Sequence, residues 1–409
     1  MLVWVVARAI HLTKLQIFSL TTATMQYAPL VQNRLIWLDL VRGLTALAVC
    51  MGHLRAALFQ EYGSLLEPSL LNKLFYGATS LGHQAVMVFF VLSGFFVGGN
   101  VVRKRADFDM WNYFVARLVR LWVVLFPALA LTFVLDAIAN LIVPQMLNGA
   151  FESIWHSGPK AGVYSASLST AIANTLFLQE LFAPVYGSNS PLWSLANEFW
   201  YYVLFPCLAL AIGWNNSKSN SLAVRAVYAL VALAVLAVLP YDMLKLGAVW
   251  LFGVASFIVA SKVQVKRRPV VLVAAMALFC FSVVYSKNVT WQSQAMVSAD
   301  MAVGLGFAVL CTTIAAWPPP AQKNEKSPIF KLSTTLSDWS YSLYLTHFPV
   351  IVLTVSYLYG TARVAPNLVG IVTFVAWLAA LVSIGAAFWY LFERHTVRVR
   401  KWLAHRRIP

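Results

Sequence analysis

The sequence predicts an all-α polytopic membrane protein with about ten transmembrane helices and both termini cytoplasmic. Three observations carry this reading. The chain is 60% hydrophobic and only 11% charged, with a mean hydropathy of +0.74, whereas soluble domains are nearer a quarter charged. Apolar runs of spanning length recur from residue 35 to residue 392, each long enough to cross a bilayer. Basic residues collect in alternate loops, the pattern of cytoplasmic retention. The net charge of +16 is therefore topological, and nucleic acid is not an expected partner. No polar stretch is long enough for a separate soluble domain. Cys50, Cys207, Cys280 and Cys311 fall in apolar spans without metal or redox spacing and read as small core hydrophobes.

In order, residues 1–33 form an extension of uncertain role. It has an apolar start, Arg8 and Lys14, and no clean signal-peptide cleavage pattern; Met25 is an alternative start. The membrane domain is expected over 34–393, with spans near 35–58, 80–102, 117–142, 191–213, 222–240, 243–261, 269–286, 298–317, 338–359 and 367–392. Trp and Tyr near several ends suit interfacial anchors. One set of loops carries Arg103, Lys104, Arg105, Arg117 and Arg120, then Lys218 and Arg225, then Lys262, Lys266, Arg267 and Arg268, then Lys323, Lys326 and Lys331. The opposite loops hold only the scattered Arg55, Lys73, Lys160, Lys245, Lys287 and Arg363. Residues 394–409 are a basic cytoplasmic tail. The connection from Val143 to Ser190 is long, contains an amphipathic piece from Ser169 to Phe182, and suits a lid or re-entrant segment. No internal repeat is visible.

The first span, RLIWLDLVRGLTALAVCMGHLR from Arg34 to Arg55, carries Asp39, Arg42 and His53 at membrane depth. Charges there are costly unless they face protein or water, which marks them as candidate functional residues. Arg42 and His53 are close to three full turns apart and share a face, with Asp39 one turn below Arg42. At ~1.5 Å per residue the two are roughly 16 Å apart along the axis. Gly43, Ala46 and Cys50 lie between them and leave room for something elongated. The plain structural alternative is an Asp39–Arg42 pair and a hydrogen-bonded core histidine.

Four further stretches place polar groups in spans. In GHQAVMVFFVLSGFFVGG, Ser93 and Gly94 interrupt a Phe-rich helix, which permits either close helix packing or a break lining a cavity; His83 at its outer end reads as interfacial. In FVARLVRLWVVLFP, Arg117 and Arg120 open the third span one turn apart. Their guanidinium groups suit a phosphate, or form an ordinary positive flank. In SPLWSLANEFWYYVLFP, Glu198 has Ser194 and Tyr202 on its own face, and an unpaired carboxylate at that depth seeks a partner. In DWSYSLYLTHFPV, His347 falls near mid-membrane beside Phe348-Pro349, as a structural or a ligand-contacting histidine.

Taken together, LDLVRGLTALAVCMGH, FFVLSGFF, RLVRLWVVLFP, PLWSLANEFWYYVLFP and YSLYLTH resemble the integral-membrane acyltransferase-3 family, which includes bacterial O-antigen, exopolysaccharide, peptidoglycan and Nod-factor O-acetyltransferases. The resemblance runs in order from about Leu35 to Glu393. It implies ten core helices in a bacterial inner membrane, an acyl-CoA donor (acetyl-CoA in the O-acetyltransferases) approached from the cytoplasm, a saccharide or lipid-linked glycan acceptor, and no metal. The family's essential Arg and His match Arg42 and His53, its basic pair matches Arg117 and Arg120, and its carboxylate-bearing WSL segment matches Glu198. Met87 stands where many members carry a polar residue. Some members append an esterase-like domain; this chain ends about 16 residues after Glu393 and is expected to lack one.

The implied chemistry suits the stripe on the first span. Transfer to a hydroxyl needs a base, and histidine titrates near neutrality. The nucleotide of CoA is too charged to enter lipid, while its slender pantetheine arm matches the roughly 16 Å from Arg42 to His53. His53 is thus expected to be the base, Glu198 to assist it or orient the acceptor in a shared outward-opening cavity, and Arg42, Arg117 and Arg120 to bind the donor. Asp39, Ser93, Ser194, Tyr202 and His347 are expected to support them. Whether acyl passes directly or through His53 is left open. A transporter or flippase for a sugar or lipid-linked substrate is the competing class.

Overall fold

A computed structural model describes residues 35–105, 107–214, 221–263, 268–289, 295–316 and 327–405. The N-terminal extension, Arg34, and the loop and tail cations Lys218, Lys266, Arg267, Lys323, Lys326, Arg406 and Arg407 lie outside them. Of the described residues, 78% are helical. Its helices are α1 (Ile36–Leu58), α2 (Leu70–Thr79), α3 (Gly82–Ser93), continued through a π turn (Gly94–Gly98) into α4 (Gly99–Arg103), α5 (Met110–Ile142), α6 (Pro144–Leu147), α7 (Leu168–Thr175), α8 (Leu192–Ala211), α9 (Leu222–Val238), α10 (Tyr241–Ala260), α11 (Arg268–Lys287), α12 (Ala295–Ala315), α13 (Pro328–Asp338), α14 (Ser340–Tyr359), α15 (Leu368–Leu391) and α16 (Thr396–His405).

Each of the ten expected spans coincides with a helix. Eight helical segments among the described residues are long and apolar enough to cross a membrane. The two that fall short do so for different reasons. α8 has 20 residues but gives hydropathy up to Ser194, Asn197, Glu198 and its tyrosines. α9 is apolar but has only 17.

The third span begins earlier than its hydropathy suggests. Asp109 caps α5 by accepting from the Asn112 amide at 2.9 Å, a standard N-terminal signal. Arg117 and Arg120 therefore lie two to three turns inside a 33-residue helix instead of opening it. The last third of the chain also divides: α13 is a separate helix that ends at Asp338, and α14 starts after Trp339.

Burial separates central from peripheral helices. The apolar windows of Leu70–Arg103 and Ser340–Tyr359 are 78% and 67% buried, against 17% for Pro269–Lys287. α1 packs on α3, α13 and α14; α3 packs on α1, α10 and α12; and α14 packs on α1, α5 and α15. The helices that carry the candidate residues are thus the ones in contact with one another. Gly94 and Gly253 make the α3–α10 crossing possible. A Cβ on Gly94 would run into the Trp250 carbonyl, and one on Gly253 into the Val91 carbonyl. The adjoining π turn is a feature that recurs at functional sites. Of the cysteines, Cys50, Cys207 and Cys311 are buried, while Cys280 is exposed on α11 and does not belong to the core as expected. Met87 is fully buried.

The Val143–Ser190 connection is a structured cover. α7 is capped by Ser167, and an isolated bridge pairs Ser165 with Tyr186. Asp136, buried near the end of α5, accepts from the Ser188 amide at 2.8 Å and its hydroxyl at 2.5 Å. Asn189 donates to Thr132 Oγ1 at 3.1 Å and to the Leu345 carbonyl at 2.9 Å. Burial, and then the neighbouring Asp136 carboxylate, push the Tyr164 phenol above its ordinary range. These bonds fasten the cover to α5 and α14.

Candidate active site

His53 on α1 faces His347 on α14, with His53 Nδ1 2.9 Å from His347 Nε2. His347 Nδ1 is in turn 2.9 Å from the Leu343 carbonyl, one turn back. A carbonyl only accepts, so Nδ1 of His347 carries its proton. In the neutral state its Nε2 is then an acceptor, and Nδ1 of His53 must donate to it. The remaining atom, Nε2 of His53, is left with its lone pair. The pair is held by packing as well. His347 is 1% exposed, the Phe348 ring meets the His53 ring edge-on at 4.8 Å, and Trp155 from the cover lies tilted against Phe348 at 5.8 Å.

His53 lines a cavity of about 1830 Å³, roofed by the Val143–Ser190 connection and walled by α1, α3, α10, α11 and α12. Tyr344, one turn before His347, also lines it. Its hydroxyl lies 2.6 Å from Ser194 Oγ on α8, so Ser194 supports the wall beside the histidines. His83, expected at the interface, lines the same cavity, with Nε2 2.6 Å from Asp300 Oδ1.

A second polar group lies towards the other end of the bundle. Arg42 donates to Ser337 through its carbonyl at 3.3 Å and its hydroxyl, and sits 3.6 Å from Asp39. Ser337 Oγ donates to Asp39 Oδ1 at 3.0 Å. The guanidinium is thus held by α13, packed on its own helix. Arg120 forms an ion pair of 2.6 Å with Glu393, which is 2% exposed and also accepts from the Ser342 amide at 3.0 Å and hydroxyl at 2.6 Å. Arg117 is half-buried and forms no ion pair within 4.0 Å among the described residues.

Glu198 joins this second group. Its carboxylate accepts from Tyr202 at 3.3 Å, and Ser93, Arg117 and Arg120 are near enough to act on it electrostatically. Ser93 is tied to Tyr202 at 3.0 Å and accepts from the Trp250 indole at 3.1 Å. The expected pairing of Glu198 with His53 is therefore corrected. His347 occupies the one ring nitrogen of His53 that a carboxylate would take. Glu198 falls on the face of α8 towards Ser93 and α5, and it does not line the His53 cavity. Between the two groups lie Tyr344 and Ser194, with Tyr344 within electrostatic reach of Glu198.

Two participants were not singled out from sequence. Glu393 lies just past an apolar span and reads as its polar end. Asp300 is a single carboxylate near the start of α12. A buried acid next to an apolar run is the only signal either one offers, and it does not name a partner. No group of three or more potential metal ligands occurs among the described residues.

The geometry is that of a membrane-embedded site with a relayed imidazole at one end and guanidinium groups at the other. No curated protein and no solved structure matches the chain. A family model described as an acyltransferase domain does match, over residues 35–393 of 409, and the chain therefore belongs to the acyltransferase-3 family and is an acyltransferase.

Proposed function

We propose that this membrane acyltransferase moves an acyl group, acetyl in the simplest case, from cytoplasmic acyl-CoA to a hydroxyl of a saccharide or lipid-linked glycan on the opposite side of a bacterial inner membrane. The observation that carries the proposal is the His53–His347–Leu343 relay, which opens on a large roofed cavity and lies three turns along α1 from Arg42. The positive-inside pattern of the loop cations supports a cytoplasmic arginine end. The covered cavity then faces outward.

In this reading the CoA phosphates stay at the cytoplasmic end, where Arg117 has no ion pair among the described residues and Arg42 and Arg120 are held in place by Ser337 and Glu393. The pantetheine arm runs inward past Glu198, Ser93 and Tyr202. The roughly 16 Å along α1 from Arg42 to His53 is the span it has to bridge. At the far end, Nε2 of His53 takes the proton of the acceptor hydroxyl. The acceptor oxygen attacks the thioester carbonyl, the C–S bond breaks, and the departing CoA thiolate takes the proton from the imidazolium. His347 holds the tautomer and stabilises the cation that forms. The acyl group crosses the membrane and CoA does not.

The test is acceptor-dependent release of CoA thiol from acetyl-CoA by detergent-purified protein. His53→Ala should abolish release while leaving the protein folded and membrane-inserted. Activity within threefold of wild type would remove His53 from the mechanism. A protein that moves sugars without releasing thiol would be a transporter.

A further inference from the structure

We infer that Asp300, positioned by His83, and Gln84 form an acceptor subsite, which grips the hydroxyls that flank, on the same sugar ring, the hydroxyl acylated at His53. This rests on the acceptor reading above and adds to it the residues that select the acceptor. The placement comes from one helix crossing. Gly52 on α1 and Gly82 on α3 meet backbone to backbone: a Cβ on Gly52 would lie 3.4 Å from the Gly82 Cα. His53 and His83 follow these glycines directly, so close packing of the two backbones sets both histidines at one level of one cavity.

The chemistry of the patch is that of polyol recognition. Asp300 is anchored through Oδ1 to His83 at 2.6 Å, and its side chain is 13% exposed. Its second oxygen has no hydrogen bond to a described residue. A carboxylate fixed by one oxygen and open at the other accepts a hydroxyl proton at a set position. Gln84 supplies the independent observation. It is 8% exposed, donates to Ser286 Oγ at 3.0 Å, and leaves its buried Oε1 without a partner among the described residues. It lines the same cavity. A buried amide oxygen left unmatched costs free energy, and rotation of the amide towards the cavity would let a ligand hydroxyl match it. Trp193 contributes apolar surface to the cavity, of the kind that packs on the C–H faces of sugar rings. The His83–Asp300 dyad is too well paired to be needed as a second base, because His53 already presents a lone pair.

The experiment uses full-length protein in detergent, acetyl-CoA, and a panel of methyl glycopyranosides with their monodeoxy analogues as acceptors. Glycoside-dependent and glycoside-independent CoA release are followed separately. The best glycoside should lose KM when a hydroxyl flanking the acylated position is removed. Asp300→Asn should raise its KM by roughly ten- to a hundredfold, the range for a charge-assisted hydrogen bond. Gln84→Met should raise it by about two- to tenfold. In both variants kcat should stay within threefold, acetyl-CoA affinity should be unchanged, and the deoxy analogue should be bound no worse than by wild type. Equal losses on parent and deoxy glycosides, or a fall in kcat at constant KM, would overturn the subsite. Wild-type protein that hydrolyses acetyl-CoA but acylates no glycoside would overturn the underlying saccharide reading, and the subsite with it. His83→Gln, which can still donate to Asp300, separates anchoring from folding: it should keep KM within threefold of wild type, and a rise matching that of Asp300→Asn would overturn the anchoring role.

Discussion

Replacing His347 with Phe tests the relay directly. The substitution keeps an aromatic ring of similar width between Tyr344 and Phe348 but removes the acceptor 2.9 Å from His53 Nδ1. The buried N–H of His53 then has no partner in the protein. Leaving such a donor unmatched costs ~1–3 kcal/mol. The imidazole can escape that cost by moving its proton to Nε2 or by rotating, and either move removes the lone pair from the cavity. At ~1.36 kcal/mol per tenfold in rate, turnover should fall by about five- to a hundred-and-fifty-fold. The loss would be greater if the tautomer switches completely, since a base held in the wrong tautomer can lose up to ~10⁴. Acetyl-CoA affinity should not change, because the arginines lie at the other end of the bundle. His347→Gln, whose amide oxygen can accept from Nδ1–H, should recover part of the loss. The assay is acceptor-dependent CoA thiol release beside donor binding by titration. His347→Phe within threefold of wild-type turnover, or an equal drop in donor affinity, would refute the relay.

The arginines should separate by their partners. Arg117→Ala, with no paired carboxylate to strand, should weaken acetyl-CoA binding by about ten- to a hundredfold through the loss of ~1.5–3 kcal/mol without lowering the melting temperature, and the effect should shrink for acyl-pantetheine. Arg120→Ala should weaken donor binding as well and also destabilise the fold by up to ~3 kcal/mol by leaving Glu393 buried without its cation; the lower end is expected because Arg120 is 36% exposed and Ser342 goes on donating to Glu393. A thermal shift beside a binding isotherm reads both, and equal melting temperatures for the two variants would contradict the assignment. Glu198→Gln removes negative charge beside both arginines, so donor affinity should hold or tighten while turnover falls; a parallel loss of both would make Glu198 a structural member of the arginine group.

The sequence by itself determined the membrane class, the approximate position of the spans and the stripe on α1, because hydropathy and helical period are local properties; the start of α5 at Met110 was set by the Asp109 cap and not by hydropathy. That Arg42 and His53 share a face follows from 3.6 residues per turn and needs no tertiary information. Arg117, Ser93, Ser194 and His347 were visible for the same reason, as polar residues where apolar ones belong. Their partners were decided only in three dimensions. His53 could equally have met Glu198 or His347, since both come from distant spans and depth along a helix does not specify rotation about it. The packing of α14 against α1 settled the matter by bringing His347 to Nδ1 of His53, and the rotation of α8 turned Glu198 towards Ser93, Tyr202 and the arginines. The same holds for Glu393, which reads as a chain-end carboxylate until α14 folds back over α5 and offers it Ser342 and Arg120. His83 reads as interfacial until Gly52 and Gly82 draw α1 and α3 together and set it in the wall of the His53 cavity. Span composition is written residue by residue, whereas pairing depends on which helix faces lose the most free energy by remaining in lipid, and that is a property of the whole bundle.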